Sequence, residues 1–230
     1  MAGGTRAGVG ILGGTFNPPH LGHLAAAQHA RERLGLERVV LMPANTSPGK
    51  QGELDPGPEH RLQMCRLAVT GQDGVGVCAL EIERGGTSYT VDTLRAIHAS
   101  HPNAELTLIV GADTASTLPT WREPQTLLEL ADIAVVARSG SAEREVRERL
   151  RALLERSQRR SEQRAGGESG TDTAAQRGRI RFLQMLTVDV SSSLARETAA
   201  GDGPLAELVG PAVAGYIREH GLYGAPRGSA

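Results

Sequence analysis

Gly8-Val9-Gly10-Ile11-Leu12-Gly13-Gly14-Thr15-Phe16-Asn17-Pro18-Pro19-His20-Leu21-Gly22-His23-Leu24 is the stretch whose reading decides the fold. Val9 to Leu12 is a short apolar run of strand type. Gly13 and Gly14 let the chain turn sharply and let a ligand approach the backbone. Pro18 and Pro19 suit the entry to a helix, not its interior. From His20 the pattern becomes helical, with Leu21, Leu24 and Ala25 at helix spacing. The segment therefore reads as strand, glycine turn, helix start. A helix N-terminus carries unpaired N–H groups and partial positive charge, which suit a phosphate. His20 and His23 are three residues apart and share a face of the first turn. Two imidazoles there can donate hydrogen bonds to phosphate oxygens and stabilise developing charge. The competing reading is a glycine turn with two structural histidines.

Working outward, His20 to Leu34 reads as one helix ended near Gly35, and Val39 to Met42 as a second buried strand. A helix between two such strands is a βαβ unit, which implies parallel strands and a right-handed crossover. Glu59 to Val69 follows as a helix, and Val75 to Cys78 as a strand with Leu80 to Glu83 running on from it. Leu106 to Val110 is the clearest strand, and it delivers Gly111 and Asp113 to a carboxyl end, where ligands of open α/β sheets bind. A short helix ends at Leu130, and Ala131 to Ala137 is another strand with Arg138 at its end. Ala142 to Arg160 has Val146, Leu150, Leu153 and Leu154 on one helical stripe. Ser161 to Gly178 is low in complexity, so about 139–179 is expected to be a flexible insert in a single domain spanning 1–230. Ile180 to Met185 resumes the strands. Pro211 enters a final helix that Gly221 ends, and Gly224 to Ala230 is expected to fray.

A length of 230 residues fits one α/β domain with or without an insert. A formal charge of −1 gives no argument for nucleic acid or an anionic membrane as partner. Cys65 and Cys78 have neither metal spacing nor a paired framework, which fits a reducing compartment. The apolar run after the glycine-rich tail is too short for a signal core or a membrane span, so the expected location is cytoplasmic. Basic residues are almost all arginine; Lys50, in the long loop 44–58, is the single lysine.

Three further stretches carry candidate binding residues. In Arg84-Gly85-Gly86-Thr87-Ser88-Tyr89-Thr90-Val91-Asp92-Thr93-Leu94 glycines and hydroxyls lead into a helix, with Thr90 as N-cap. Such a start can hold a carboxylate or phosphate, or be an ordinary capped helix. Trp121 follows Pro119 in a chain poor in aromatics; a flat indole can stack on a pyridine ring, or anchor its loop. In Val190-Ser191-Ser192-Ser193-Leu194-Ala195-Arg196 serines mark a helix start with a guanidinium one turn inside, a way to grip polyphosphate.

The frame Gly-Gly-Thr-Phe-Asn-Pro-Pro-His-x-Gly-His at 13–23 resembles the signature of the (T/H)xGH nucleotidyltransferase superfamily, and more narrowly that of bacterial nicotinate-nucleotide adenylyltransferases. The segment 190–196 resembles that family's Ile-Ser-Ser-Thr-x-Ile-Arg motif, with Val190, Ser193 and Ala195 as departures. His60-Arg61-Leu62-x-Met64, the Ser-Tyr-Thr segment, Pro119-Thr120-Trp121 and the last helix are also similar. The resemblance implies an α/β, Rossmann-like parallel sheet with helices on both faces. It implies adenylyl transfer from ATP to nicotinate mononucleotide, with Mg2+ accompanying ATP and no metal cage of protein ligands. His20, His23 and Arg196 are the implied catalytic residues. Gly13, Gly14, Thr15, Phe16, Lys50, Gly111, Asp113, Ser191 and Ser192 would hold ATP. Ser88, Tyr89, Thr90, Trp121 and Arg138 would hold nicotinate mononucleotide. For Lys50 a solvated loop charge is the other reading, since Gly49 stands where the family often has histidine. Two alternatives stay open: another acceptor, such as phosphopantetheine or nicotinamide mononucleotide, and a nucleotide-binding module without catalysis.

Overall fold

The computed structural model describes residues 8–48, 54–137, 140–165, 178–185, 189–201 and 203–226. Lys50 and Arg138 lie outside them, as does most of the expected low-complexity stretch. The elements are β1 (Gly8–Gly14), α1 (Leu21–Leu34), β2 (Arg38–Pro43), α2 (Pro58–Ala68), β3 (Val75–Val77), α3 (Leu80–Arg84), α4 (Thr90–Ser100) and β4 (Glu105–Gly111). They continue with α5 (Ala112–Thr117), α6 (Pro124–Leu130), β5 (Asp132–Ala137), α7 (Gly140–Ala165), β6 (Ile180–Gln184), α8 (Ser192–Ala199), α9 (Leu205–Val209) and α10 (Pro211–His220).

The six strands form one parallel sheet in the order β3-β2-β1-β4-β5-β6. The chain runs outward from β1 to β3, then returns to place β4 on β1's other side. A crevice opens at that reversal, outside the carboxyl ends of β1 and β4. Leu12 pairs with Ile109, so the same register continued by two residues sets Gly14 level with Gly111.

Side chains alternate across the sheet, as strand geometry requires. Ile11, Leu108 and Val110 enter one buried cluster with Leu94, Leu127, Val146 and Leu150, under α4, α6 and α7. Leu12 and Ile109 enter another with Leu24, Ala27 and Ala30 of α1. Helices thus cover both faces, as expected. The stripe of Val146, Leu150 and Leu153 is buried, and α7 is a long crossover helix between β5 and β6 that reaches Ala165. A third cluster joins Met64 of α2 to Ala195, Val209, Val213, Ile217 and Tyr223, and so seats α8, α9 and α10 beside the start of α1.

Four local expectations are corrected. Leu80–Arg84 is a short helix, not a continuation of the strand, because β3 stops at Val77 and Gly85 in a positive-φ conformation closes the turn. The cap of α4 is Tyr89, and Thr90 is its first helical residue, without a side-chain capping bond. His20 is the N-cap of α1 in place of its first helical residue. The chain past Gly224 does not fray at once: Ala225 is buried in the third cluster. No helix among the described residues is long and apolar enough to cross a membrane.

Candidate active site

The turn after β1 is held in an uncommon shape. Phe16 has φ 52°, a conformation costing a non-glycine residue about 1–3 kcal/mol. Its ring is buried, edge-on to His23 with centroids 4.9 Å apart. A Cβ on Gly14 would lie 3.2 Å from that ring, so glycine there admits Phe16. The peptide Asn17–Pro18 is cis. His20 then caps α1. Its backbone N–H donates to Nδ1 of His23 at 3.1 Å, and the two imidazoles stack at 3.6 Å. Because Nδ1 of His23 accepts, the proton of the neutral ring sits on Nε2, leaving that nitrogen as the donor. Gly22 suits the same packing: a Cβ there would sit 3.0 Å from both the His20 ring and Val190, so one of them would have to shift.

That contact with Val190 brings the second motif to the first. Ser191 caps α8, its Oγ accepting the N–H of Leu194 at 3.1 Å. Ser192 Oγ donates to the carbonyl of Pro18 at 2.8 Å. Arg196 Nη1 donates to the carbonyl of Asn17 at 2.7 Å, and Nη2 to Ser193 Oγ at 3.2 Å. Two helix starts far apart in sequence are therefore tied to one turn. The serines are bound into the scaffold more than the motif suggested: Ser192 donates its hydroxyl proton to the turn, while Ser191 and Ser193 accept through their oxygens.

Gly13 and Gly111 stand at the ends of the two neighbouring strands. A Cβ at either would meet no protein atom within 4 Å, and neither has a positive φ. The chain's own packing does not demand glycine at these points; both leave clear ground at the mouth of the crevice, which Asp113, exposed in the first turn of α5, borders.

On the far side of β2, Ser88 is buried and receives the backbone N–H of Asn45 at 3.0 Å. Glu81, also buried, accepts the Thr93 hydroxyl at 2.6 Å and hydrogen-bonds Ser88. Burial raises its carboxyl above the ordinary value, with Thr93, Ser88 and Arg84 pulling the other way. The ring of Tyr89 is covered by the Arg122 guanidinium, 4.9 Å from its centroid. Arg122 reaches Asp92 at 3.1 Å and Arg95 reaches Glu123 at 2.6 Å, fastening the Trp121 loop to α4. Trp121 packs partly against the main core and donates its indole N–H to Thr117 at 3.0 Å. One edge of the ring is thus anchored, as the loop-anchoring reading expects, while the residue stays half-exposed.

Several central residues received no role from the sequence. Asn17 is buried; its amide donates to the Leu54 carbonyl at 2.9 Å and accepts the Tyr223 hydroxyl at 2.7 Å. Burial and Asp55 push the Tyr223 phenol well up, so it stays a donor. Arg61 is 1% exposed and binds four acceptors. Its signal was present: a charge in register with buried Cys65, one turn on, marks an ionic group on an apolar stripe. Cys65 is buried, and desolvation pushes its thiol up to about 12. Among the described residues no group of three or more His, Cys, Asp or Glu comes together to hold a metal ion.

A doubly wound parallel sheet with a histidine-bearing helix start at its switch point, tied to a serine–arginine helix start, defines a nucleotidyltransferase of the cytidylyltransferase-like class, and the family model of that description matches residues 11–198. Among curated relatives, a Symbiobacterium thermophilum protein named "probable nicotinate-nucleotide adenylyltransferase" is 41% identical over 215 residues, covering 94% of each chain. One of the same name from Roseiflexus is 39% identical, covering 95% of this chain and 99% of its own. The chain belongs to the nicotinate-nucleotide adenylyltransferase family. Its fold matches that of the Plasmodium falciparum nicotinic acid mononucleotide adenylyltransferase complexed with NaAD, with a TM-score of 0.66 over 94% of this chain and 97% of that one at 15% identity.

Proposed function

We propose that the protein transfers the adenylyl group of ATP to nicotinate mononucleotide, giving nicotinate adenine dinucleotide and pyrophosphate, a step of NAD biosynthesis. The observation that carries this reading is the fastening of Arg196 and Ser192 to the turn that presents His20 and His23. It places cationic and N–H donors of two helix starts around one crevice. The names of the full-length relatives support the acceptor.

In this reading the mononucleotide phosphate oxygen attacks the α-phosphorus of ATP, and the α–β bridging oxygen departs with pyrophosphate. No protein nucleophile is needed. Catalysis is alignment plus stabilisation of charge on the phosphates. His23 Nε2–H and the Arg196 guanidinium meet the charge that develops in transfer, and His20 assists on the triphosphate. Gly13, Gly14, Thr15, Phe16, Gly111, Asp113 and Ser191 shape the ATP side, and Ser192 holds the turn. Lys50 and Arg138 are proposed on the family pattern alone. Ser88, Tyr89, Thr90 and Trp121 shape the mononucleotide side. Magnesium would accompany ATP, carried by its phosphates and water, since it keeps its waters and no carboxylate cage is available among the described residues. It would neutralise phosphate charge. The reading places the protein in the cytoplasm, with no nucleic acid or membrane partner.

Purified protein given ATP, Mg2+ and each of nicotinate mononucleotide, nicotinamide mononucleotide and phosphopantetheine tests the proposal by acceptor-dependent pyrophosphate release. Highest kcat/KM with nicotinate mononucleotide is expected. Turnover with phosphopantetheine alone overturns the acceptor, and nucleotide binding without turnover on any acceptor overturns catalysis.

A further inference from the structure

Arg61 lies four residues into α2, where a cation opposes the helix dipole, so helix energetics do not explain it. Its guanidinium is buried, and at least four of its five N–H groups are engaged. Nε donates to Asp55 Oδ1 at 3.0 Å. Nη1 donates to the carbonyls of Thr15 at 2.8 Å and Ala44 at 2.6 Å, and Nη2 to that of Asn45 at 2.7 Å. One planar group thus gathers the turn after β1 and the loop after β2, beyond the last ladder bond between them, from the Ala44 N–H to the Gly14 carbonyl.

Asn45 carries the connection onward. Its N–H donates to Ser88 Oγ, its Nδ2 to the Gly86 carbonyl at 2.8 Å, and the Ser88 N–H returns to the Thr46 carbonyl at 2.9 Å. Ser88 and Thr93 both reach Glu81, which sets the first turn of α4. The polar contacts are continuous from Thr15 to Thr93.

We infer that Arg61 and Asn45 form a cross-brace that sets the spacing between the nucleotide half of the site, 13–23, and the mononucleotide half, 86–94, so that loosening the brace weakens both half-sites together. The inference rests on the adenylyl-transfer reading. Arg61 and Asn45 are positioning residues: they act through the carbonyls and hydroxyls they hold.

The test is calorimetric titration of α,β-methylene ATP and of nicotinate mononucleotide, each alone, into wild type, Arg61→Lys, Asn45→Ala and the double variant, with thermal melts to confirm folding. A lysine ammonium is a point donor that cannot fork to four acceptors. Arg61→Lys is expected to weaken both ligands about tenfold, and Asn45→Ala both about threefold, with the double variant weaker by less than the product. A local structural role would move only the ligand nearest the change. If both ligands bind wild type but Asn45→Ala weakens only the mononucleotide, the brace is overturned and the functional reading stands. Strictly additive effects also overturn it. If neither ligand binds wild type, the functional reading falls and the brace with it. Should Arg61→Lys not fold, Asn45→Ala decides alone.

Discussion

His23 does two jobs that can be separated. As the third residue of α1 it returns Nδ1 to the N–H of the His20 cap at 3.1 Å, and its other nitrogen is the donor proposed to meet developing charge. Glutamine in that position of a helix also reaches back to the cap N–H, whereas alanine cannot. Loss of a capping interaction costs about 1 kcal/mol. In a chain of this size that lowers the melting temperature by about 2–4 °C. Loss of one donor to transition-state charge costs about 2.7–4 kcal/mol, or roughly 10²–10³ in kcat. His23→Ala is therefore expected to melt a few degrees lower and turn over at least about a hundredfold more slowly. His23→Gln is expected to melt close to wild type and show the same loss of kcat. Both should bind α,β-methylene ATP nearly as wild type does, because the donor acts on charge that appears during transfer. Steady-state kcat with saturating ATP, Mg2+ and nicotinate mononucleotide, together with a thermal melt, reads both effects. If His23→Gln keeps kcat within about threefold of wild type, the imidazole has no role in transfer and the reasoning is refuted.

Tyr223→Phe leaves Asn17 Oδ1 buried without its donor, costing about 1–3 kcal/mol, which a urea melt measures, and kcat should fall because that amide fixes the turn. Gly13→Ala meets no protein atom, so stability should hold or rise, by about 0.5–1 kcal/mol. The same variant should weaken α,β-methylene ATP about tenfold if phosphate contacts that backbone, the overpacking cost being about 1–3 kcal/mol; unchanged affinity would place the nucleotide elsewhere. For Glu81, burial raises the folded carboxyl above 4.5. The stability this proton uptake adds relative to Glu81→Gln is fully present below pH 4.5 and is lost as pH rises through the raised value. Denaturation of the two proteins between pH 4 and 8 should show that difference shrinking upward, and a pH-independent difference would mean that burial does not raise the folded carboxyl above its unfolded value.

Strand and helix identity was legible where a short apolar run is buried on both faces, as from Leu106 to Val110, or where a helix buries one periodic stripe, as at Val146, Leu150 and Leu153. Leu80–Arg84 was not legible, because five residues are too few to distinguish helical from strand periodicity. The cap of α4 falls on Tyr89, one residue before the hydroxyl of Thr90, and no side chain bonds the helix's first N–H groups there, so the capping pattern in the sequence had no counterpart in the structure. The two phosphate-suited helix starts could each be read locally, since glycines, hydroxyls and histidines at a strand–helix junction act through backbone geometry close in sequence.

What the amino-acid order determined alone is therefore local: the strands, the glycine turn, the histidine pair on one helical face and the serine cap with its arginine one turn in. What only the tertiary structure decided is which of these meet. Asn17 is gripped by Arg196 from α8, Tyr223 from beyond α10 and the carbonyl of Leu54. Arg61 gathers the turn after β1 and the loop after β2. The physical reason is that hydrogen bonds between groups far apart in the chain leave no periodic trace: any donor can satisfy a buried carbonyl, and packing alone selects which one arrives.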